Sequence, residues 1–268
     1  MKLAILGTGN MAEALIAGVL AKKLLRPGRI IGFDVNTKRL QLIRRKYRIQ
    51  TSSSAVEAIR RADMILLSVK PQQMKELLGQ IRPKLSRRHL ILSIAAGLDI
   101  RFFEKGLGRQ CKIIRSMPNT PATVGMGATA YFANRNCHAA DRKITQKIFG
   151  AAGIAFEVKS EKALDAVTGL SGSGPAFVCR FADALIQGGK KAGLSEDLAR
   201  ALTVQTLAGS AALLKQSGEN PASLIQKVAS KGGTTEAGLK VLKRKKFGSI
   251  VQQCVVAATR RARKLRNF

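Results

Sequence analysis

The first half of the chain alternates short, unbroken aliphatic runs with longer stretches in which apolar positions recur every three or four residues. The first kind of run suits a strand buried on both faces, and the second is the stripe of a helix packed on a sheet. The pattern predicts strands at 3–6, 30–34, 64–69, 90–94 and 112–115, with helices at 10–25, 37–47, 54–61 and 71–82 between them. Such alternation builds a parallel sheet covered by helices. Ser54 and Glu57 stand at capping-box spacing, so the hydroxyl and the carboxylate are each expected to take a backbone N–H at that helix start. Two further apolar runs, 128–132 and 154–158, extend the sheet and flank a helix that ends before Gly153.

After Ser160 the alternation stops. From Leu164 the chain is rich in Ala and Leu and is broken only at Gly172–Gly174, Gly193, Asn220-Pro221 and Gly232-Gly233. Ser195 before Glu196 is a helix start by its cap, and Asn220 before Pro221 by proline at the first helical position. The organisation expected is an α/β domain over residues 1–160 and an all-helical domain over 161–268. A helical block this apolar, with few aromatics, is expected to bury its surplus surface against a second copy.

Composition narrows the class. At 46% hydrophobic and 24% charged, the 268-residue chain has the make-up of a folded soluble protein rather than a disordered one. Its 47 Lys and Arg against 16 Asp and Glu leave +31, enough to attract polyanions at low salt. The basic residues are spread along the chain, at Lys38, Arg39, Arg44, Arg45, Lys46, Arg87, Arg88, 243–246 and 260–264, and read as solvated helix faces. No aromatic-rich reading surface or zinc-finger spacing accompanies them, so no dedicated nucleic-acid partner is expected. Four dispersed cysteines form no C-x-x-C pair, which indicates no metal site and points to buried thiols in a reducing compartment. No apolar run approaches the roughly 20 residues of a membrane helix, and Asn10 and Glu13 interrupt the opening run too soon for a signal peptide. The expected location is the cytoplasm, with no membrane association.

The chemistry begins at Gly7-Thr8-Gly9-Asn10-Met11-Ala12, which follows the first strand and opens the first helix. This is the setting that the G-x-G-x-x-G/A dinucleotide fingerprint requires. Gly7 permits the tight turn, Gly9 lets a pyrophosphate approach the backbone, and Ala12 allows close helix–strand contact, with the helix N-terminus facing the phosphates. Asp34 ends the second strand about 20 residues on, where an acid favours the free ribose 2′-hydroxyl of NAD. Asn36, Thr37, Lys38 and Arg39 follow at once and suit the 2′-phosphate of NADP, or else form a solvated helix turn. The choice between NADPH and NADH stays open at this level.

Five further motifs occur in order: Val69-Lys70-Pro71, Ala95-Ala96-Gly97, Met117-Pro118-Asn119-Thr120-Pro121, Leu170-Ser171-Gly172-Ser173-Gly174-Pro175-Ala176 and Gly232-Gly233-Thr234-Thr235. This ordered set resembles the pyrroline-5-carboxylate reductase family along essentially the whole chain. The resemblance implies an N-terminal Rossmann doubly wound sheet and a C-terminal helical dimerisation domain. It also implies a homodimer assembled into a larger ring such as a decamer. The implied activity is reduction of L-1-pyrroline-5-carboxylate to L-proline with NADPH or NADH, the last step of proline biosynthesis. Carried over motif by motif, Gly7, Thr8, Gly9, Asn10, Met11, Lys70, Pro71, Ala95, Ala96 and Asn119 contact the dinucleotide, beside Asp34 and Lys38. Ser230, Gly233, Thr234 and Thr235 bind the substrate, with Thr235 as the catalytic residue near its nitrogen. The chain departs from the family at Lys231, where a proline usually precedes the paired glycines.

This chemistry fits a chain short of acids and bases. The two histidines, His89 and His138, lie outside every motif and read as surface residues. Position 171 is Ser where a G-x-S-x-G motif around Ser173 needs Gly, which argues against a serine hydrolase. A cyclic imine, once protonated, accepts hydride with no strong acid beside it. Positioning then supplies on the order of 7 kcal/mol or more of barrier lowering. The glycine-rich loop before Thr235 also reads as a plain helix cap by Thr234 or Thr235. Two rivals are another two-domain Rossmann reductase, using Lys190 or Lys191, and a basic nucleic-acid-binding protein with a vestigial dinucleotide fold.

Overall fold

The computed structural model describes residues 1–265. The chain forms two compact units, one of Met1–Ser173 with the chain from Val256 onward, the other of Gly174–Val255. The first unit is built on eight strands: β1 Leu3–Leu6, β2 Ile30–Phe33, β3 Gln50–Thr51, β4 Met64–Leu67, β5 Leu90–Ser93, β6 Lys112–Met117, β7 Gly127–Ala133 and β8 Gly153–Glu157. They lie in the order β3-β2-β1-β4-β5-β6-β7-β8. Helices α1 Asn10–Ala21, α2 Thr37–Tyr47, α3 Ala55–Arg60, α4 Pro71–Ile81, α5 Ile100–Leu107, α6 Ala139–Gly150 and α7 Ala163–Val167 complete it.

Successive residues of β1 enter opposite cores, as the strand period of two demands. Leu3 and Ile5 join Leu15, Ile16 and Val19 of α1 and Phe149 of α6, whereas Ala4 and Leu6 join Ile59 of α3, Met74 and Leu78 of α4 and Phe103 of α5. Helices therefore cover both faces of a doubly wound, Rossmann-type sheet. All neighbouring strands run parallel except β6 and β7. Residues 118–126 join that pair, too short a link for the dozen or more residues of a parallel crossover, so β7 folds straight back. Arg115 of β6 is buried and ion-paired to Glu161 at 3.0 Å, and Glu161 also takes the first N–H of α5 at 2.8 Å.

Several local expectations need correction. The first helix stops at Ala21 rather than 25, because Lys23 turns left-handed and Leu24 and Leu25 fold back onto the core. The capping box before α3 is half formed: Ser54 accepts the Glu57 N–H at 3.1 Å, but the Glu57 carboxylate takes the Ser53 and Ser52 hydroxyls instead. Helix α5 was not expected, although Asp99 caps it by accepting the Phe102 N–H and Phe103 and Leu107 face inward from it. His89 is buried, not a surface residue: its Nδ1 accepts the Ser86 N–H at 2.9 Å, and burial pushes its pKa down. Of the cysteines expected inside, Cys179 and Cys254 are exposed.

The second unit contains α8 Gly174–Lys191, α9 Glu196–Ser217, α10 Pro221–Val228, α11 Thr234–Arg244 and the first part of α12 Phe247–Leu265. Ser195 caps α9 by accepting the Leu198 N–H, and Asn220 caps α10 by accepting the Ala222 N–H at 2.7 Å. Phe181 of α8 packs against Phe247 of α12 with the rings tilted and their centres 5.7 Å apart. Within this unit only Ala199 and Thr203 are buried, while Leu202, Val204, Leu213 and Ile250 stand half-exposed. Among the described residues no helix is long and apolar enough to cross a membrane, and no group of three or more metal-ligating side chains sits together.

Candidate active site

The chain leaves β1 with β2 on one side and β4 on the other. At this reversal of strand order a crevice opens above the carboxyl ends of the strands. Gly7 turns there with φ at +94°, and its N–H donates to the Phe33 carbonyl at 2.8 Å. A side chain at Gly7 would collide with the Ser68 backbone, so the turn is held between the ends of β2 and β4. Gly9 differs: it is exposed, and a Cβ there would meet nothing within 4 Å. Gly9 is also the N-cap of α1 and offers no capping side chain. The first-turn N–H groups of α1 therefore keep no side-chain acceptor, an arrangement that fits a dinucleotide pyrophosphate.

The cleft beside this turn has a volume of about 320 Å³ and is lined by Gly7, Gly9, Asp34 and Lys70 from the expected set, with Phe33, Val35, Ser68, Val69, Gln73, Glu76, Leu77 and Gln80. Pro71 is the first residue of α4, next in sequence to Lys70, and is not among the lining residues. Asn10 opens α1, Met11 leans into the core, and Lys38 lies exposed on the first turn of α2. A larger, open basin of about 860 Å³ lies toward the far end of α2, lined by Arg44, Arg45, Arg48 and Arg61. It has neither a glycine turn nor a helix start, which leaves the smaller cleft as the candidate site.

A polar network supports the turn from below. Thr8 is buried, and its N–H and hydroxyl both donate to Asp34 Oδ2, at 2.6 and 2.9 Å. Arg39 donates from Nε to the Thr8 carbonyl at 2.8 Å and pairs through a second nitrogen with Glu13. Lys46 and Tyr47 also donate to Glu13, at 2.8 and 3.0 Å. Burial alone would raise the Glu13 carboxyl, but these donors outweigh it and hold its pKa at about 2. Sequence reading missed Glu13 and left Arg39 between a cofactor phosphate and a solvated helix turn; the visible signal was an acid in the first turn of α1 facing a basic α2.

The remaining expected residues of this unit divide. Ala96 is exposed at the end of β5, whereas Ala95 is buried with its N–H on Ser93 Oγ. Asn119 is nearly buried and its amide is engaged twice: Oδ1 accepts the Ala128 N–H at 2.8 Å and Nδ2 donates to the Ser171 carbonyl at 3.0 Å. Its side chain thereby ties the Met117–Pro121 segment to β7 and to the turn at Ser171.

In the second unit, Ser230, Gly233, Thr234 and Thr235 form one turn at the start of α11. Gly232 takes φ of +75°, and the Gly233 N–H closes the turn onto the Ser230 carbonyl at 3.0 Å. Gly233 fits because a Cβ would lie 2.4 Å from Ser230 Oγ. The N-cap is Gly233, with no side-chain cap, so neither threonine caps the helix. Glu236 reaches back to accept the Gly232 N–H at 2.6 Å, and that bond, with Lys240, holds its carboxyl below the usual range. Sequence reading missed this brace, although an acid three residues past a helix cap is a recognisable signal. Lys231 is exposed, and the turn forms with lysine where proline is usual.

Comparison with known proteins agrees with both halves. Residues 161–265 match the family described as pyrroline-5-carboxylate reductase dimerisation, and residues 2–97 match that described as NADP oxidoreductase, coenzyme F420-dependent. The pyrroline-5-carboxylate reductase of Synechocystis sp. is 40% identical over 265 residues, spanning 99% of this chain and 98% of that protein. The solved structure of a pyrroline-5-carboxylate reductase from Coxiella burnetii superposes with a TM-score of 0.95 at 32% identity, covering 98% of each chain. That of Plasmodium falciparum pyrroline carboxylate reductase with NADP bound gives 0.87 at 34% identity, covering 99% of this chain and 98% of the other. With a doubly wound nucleotide crevice, a glycine–threonine helix start and relatives matched end to end, the chain belongs to the pyrroline-5-carboxylate reductase family.

Proposed function

We propose that this chain reduces L-1-pyrroline-5-carboxylate to L-proline with NADPH or NADH as the hydride donor. The observation that carries the reading is likeness to pyrroline-5-carboxylate reductases over 98% or more of both chains. The Gly7–Thr8–Gly9 turn and the uncapped start of α1 fit a dinucleotide diphosphate, with Asn10, Met11, Lys70, Pro71, Ala95, Ala96 and Asn119 around the remainder, Asp34 toward the adenosine, and Lys38 beyond it on the exposed first turn of α2. The bound reduced nicotinamide supplies the hydride.

The turn at α11 is assigned to the substrate. Free N–H groups of Thr234 and Thr235 at an uncapped helix start suit the carboxylate, with the helix dipole adding attraction. Ser230 and Gly233 shape the turn. The Thr235 hydroxyl hydrogen-bonds the ring nitrogen and selects the face that is reduced. The protonated imine carbon is electrophilic already, so the residues bind, orient and exclude water, and no strong acid is required.

The half-exposed leucines and valines of the helical unit support a homodimer, the role named by the matched dimerisation family; assembly into a larger ring such as a decamer and a cytoplasmic location extend the same reading. The deciding test is dinucleotide oxidation by the purified protein with L-1-pyrroline-5-carboxylate, run with NADH and with NADPH, against a panel of β-hydroxyacid-type carbonyls. Turnover of the imine with formation of proline is expected. Turnover of the carbonyls alone would overturn the assignment.

A further inference from the structure

We propose that this chain prefers NADH to NADPH, and that Asp34 and Val35 set the preference; the proposal rests on the dinucleotide reading of the cleft given above. In a doubly wound sheet the adenosine ribose lies by the residue that ends the second strand. Here β2 runs to Phe33, and Asp34 and Val35 follow as walls of the cleft. Asp34 Oδ2 is engaged by the Thr8 N–H and hydroxyl, and Oδ1 by the Asn36 N–H at 2.9 Å. These three donors fix the carboxylate without exhausting it, since each oxygen accepts about two hydrogen bonds. The capacity left at Oδ1 suits a ribose 2′-hydroxyl, which donates. A 2′-phosphate brings only acceptor oxygens and like charge to the same place.

The cations that would reverse this balance are elsewhere. Val35 is apolar and 77% exposed. Arg39 is drawn beneath the turn, onto the Thr8 carbonyl and Glu13. Lys70 is the one basic residue among the described residues lining the cleft. It follows β4, which β1 separates from β2, so about two strand spacings, roughly 10 Å, lie between. Lys38 lies outside the lining, on the exposed first turn of α2. One relative was solved with NADP bound, so the preference is argued for these residues and not for the family.

The test is calorimetric titration of the whole purified protein with NAD⁺ and with NADP⁺, which reads binding without turnover. NAD⁺ is expected to bind at least about tenfold more tightly. Asp34→Ser should narrow or reverse that ratio. Val35→Arg should strengthen NADP⁺ by about tenfold and so shift the ratio of the two affinities toward NADP⁺. Tighter or equal binding of NADP⁺ by the unaltered protein would overturn the inference alone. Equal weakening of both dinucleotides by Asp34→Ser would reduce Asp34 to a brace for Thr8 and overturn its selective role. Failure to bind either dinucleotide would bring down the parent reading and this one together.

Discussion

The Cβ that Gly7 lacks would lie 2.6 Å from the carbonyl oxygen of Ser68, closer than van der Waals contact permits. Gly7 also sits at positive φ, so Gly7→Ala combines a left-handed penalty with a backbone collision that no rotamer relieves. We expect a loss of about 2–4 kcal/mol, seen as a lower thermal midpoint, together with loss of dinucleotide binding.

Gly9→Val separates binding from folding two residues away. Gly9 has extended backbone angles and nothing near its missing Cβ. Thermal unfolding should change by less than about 1 kcal/mol, while dinucleotide affinity, measured by calorimetry, should fall by about a hundredfold because the side chain fills the approach to α1. Unchanged affinity would remove the glycine turn from the binding site.

Thr235→Ala is expected to lower kcat by about ten- to a hundredfold, the scale of one lost hydrogen bond in a dry site, with dinucleotide affinity nearly intact. Thr235→Ser should restore most of the rate. Parallel loss of turnover and of dinucleotide binding in the alanine variant would mark the hydroxyl as a structural support.

Glu13 makes a pH prediction whose sign follows from its depressed pKa. Its carboxyl titrates near 2 in the folded chain against an ordinary value of 4.5. The stability it contributes is therefore present above about pH 4.5 and lost as pH falls toward 2. Glu13→Gln should flatten the acid limb of a plot of denaturation midpoint against pH over that window and leave its neutral region parallel to wild type. An unchanged acid limb would show that Arg39, Lys46 and Tyr47 do not hold the charged form.

Asn119→Ala removes both amide bonds, to the Ala128 N–H and the Ser171 carbonyl. A loss of about 2–3 kcal/mol in urea denaturation is expected, since partners at a nearly buried site are left without water to replace it. A loss below about 0.5 kcal/mol would show that the segment is held by other contacts.

Much of this was legible in the sequence because the strands are buried on both faces and so appear as plain aliphatic runs; 3–6 and the start of 64–69 were placed to the residue. The glycine turn was legible because Gly7 answers a backbone constraint that no other residue meets, while Gly9 leaves the approach to α1 open. What sequence reading missed depends on reach across the fold. Nothing local says that Arg39 will fold under the turn toward Glu13, 26 positions away, rather than outward to a phosphate. Nor does the Asn119 motif reveal that its side chain is spent on Ser171, 52 positions on. Strand β3 offers only Gln50 and Thr51, too little for any periodicity.

The helical unit, with Ala199 and Thr203 as its sole dry side chains, cannot treat its own fold as a private matter. A surface that greasy behaves as unfinished until something covers it, which couples conformational stability to concentration through mass action. Dilution should lower the melting temperature, and newly made chains awaiting a mate would be sticky prey for chaperones and proteases.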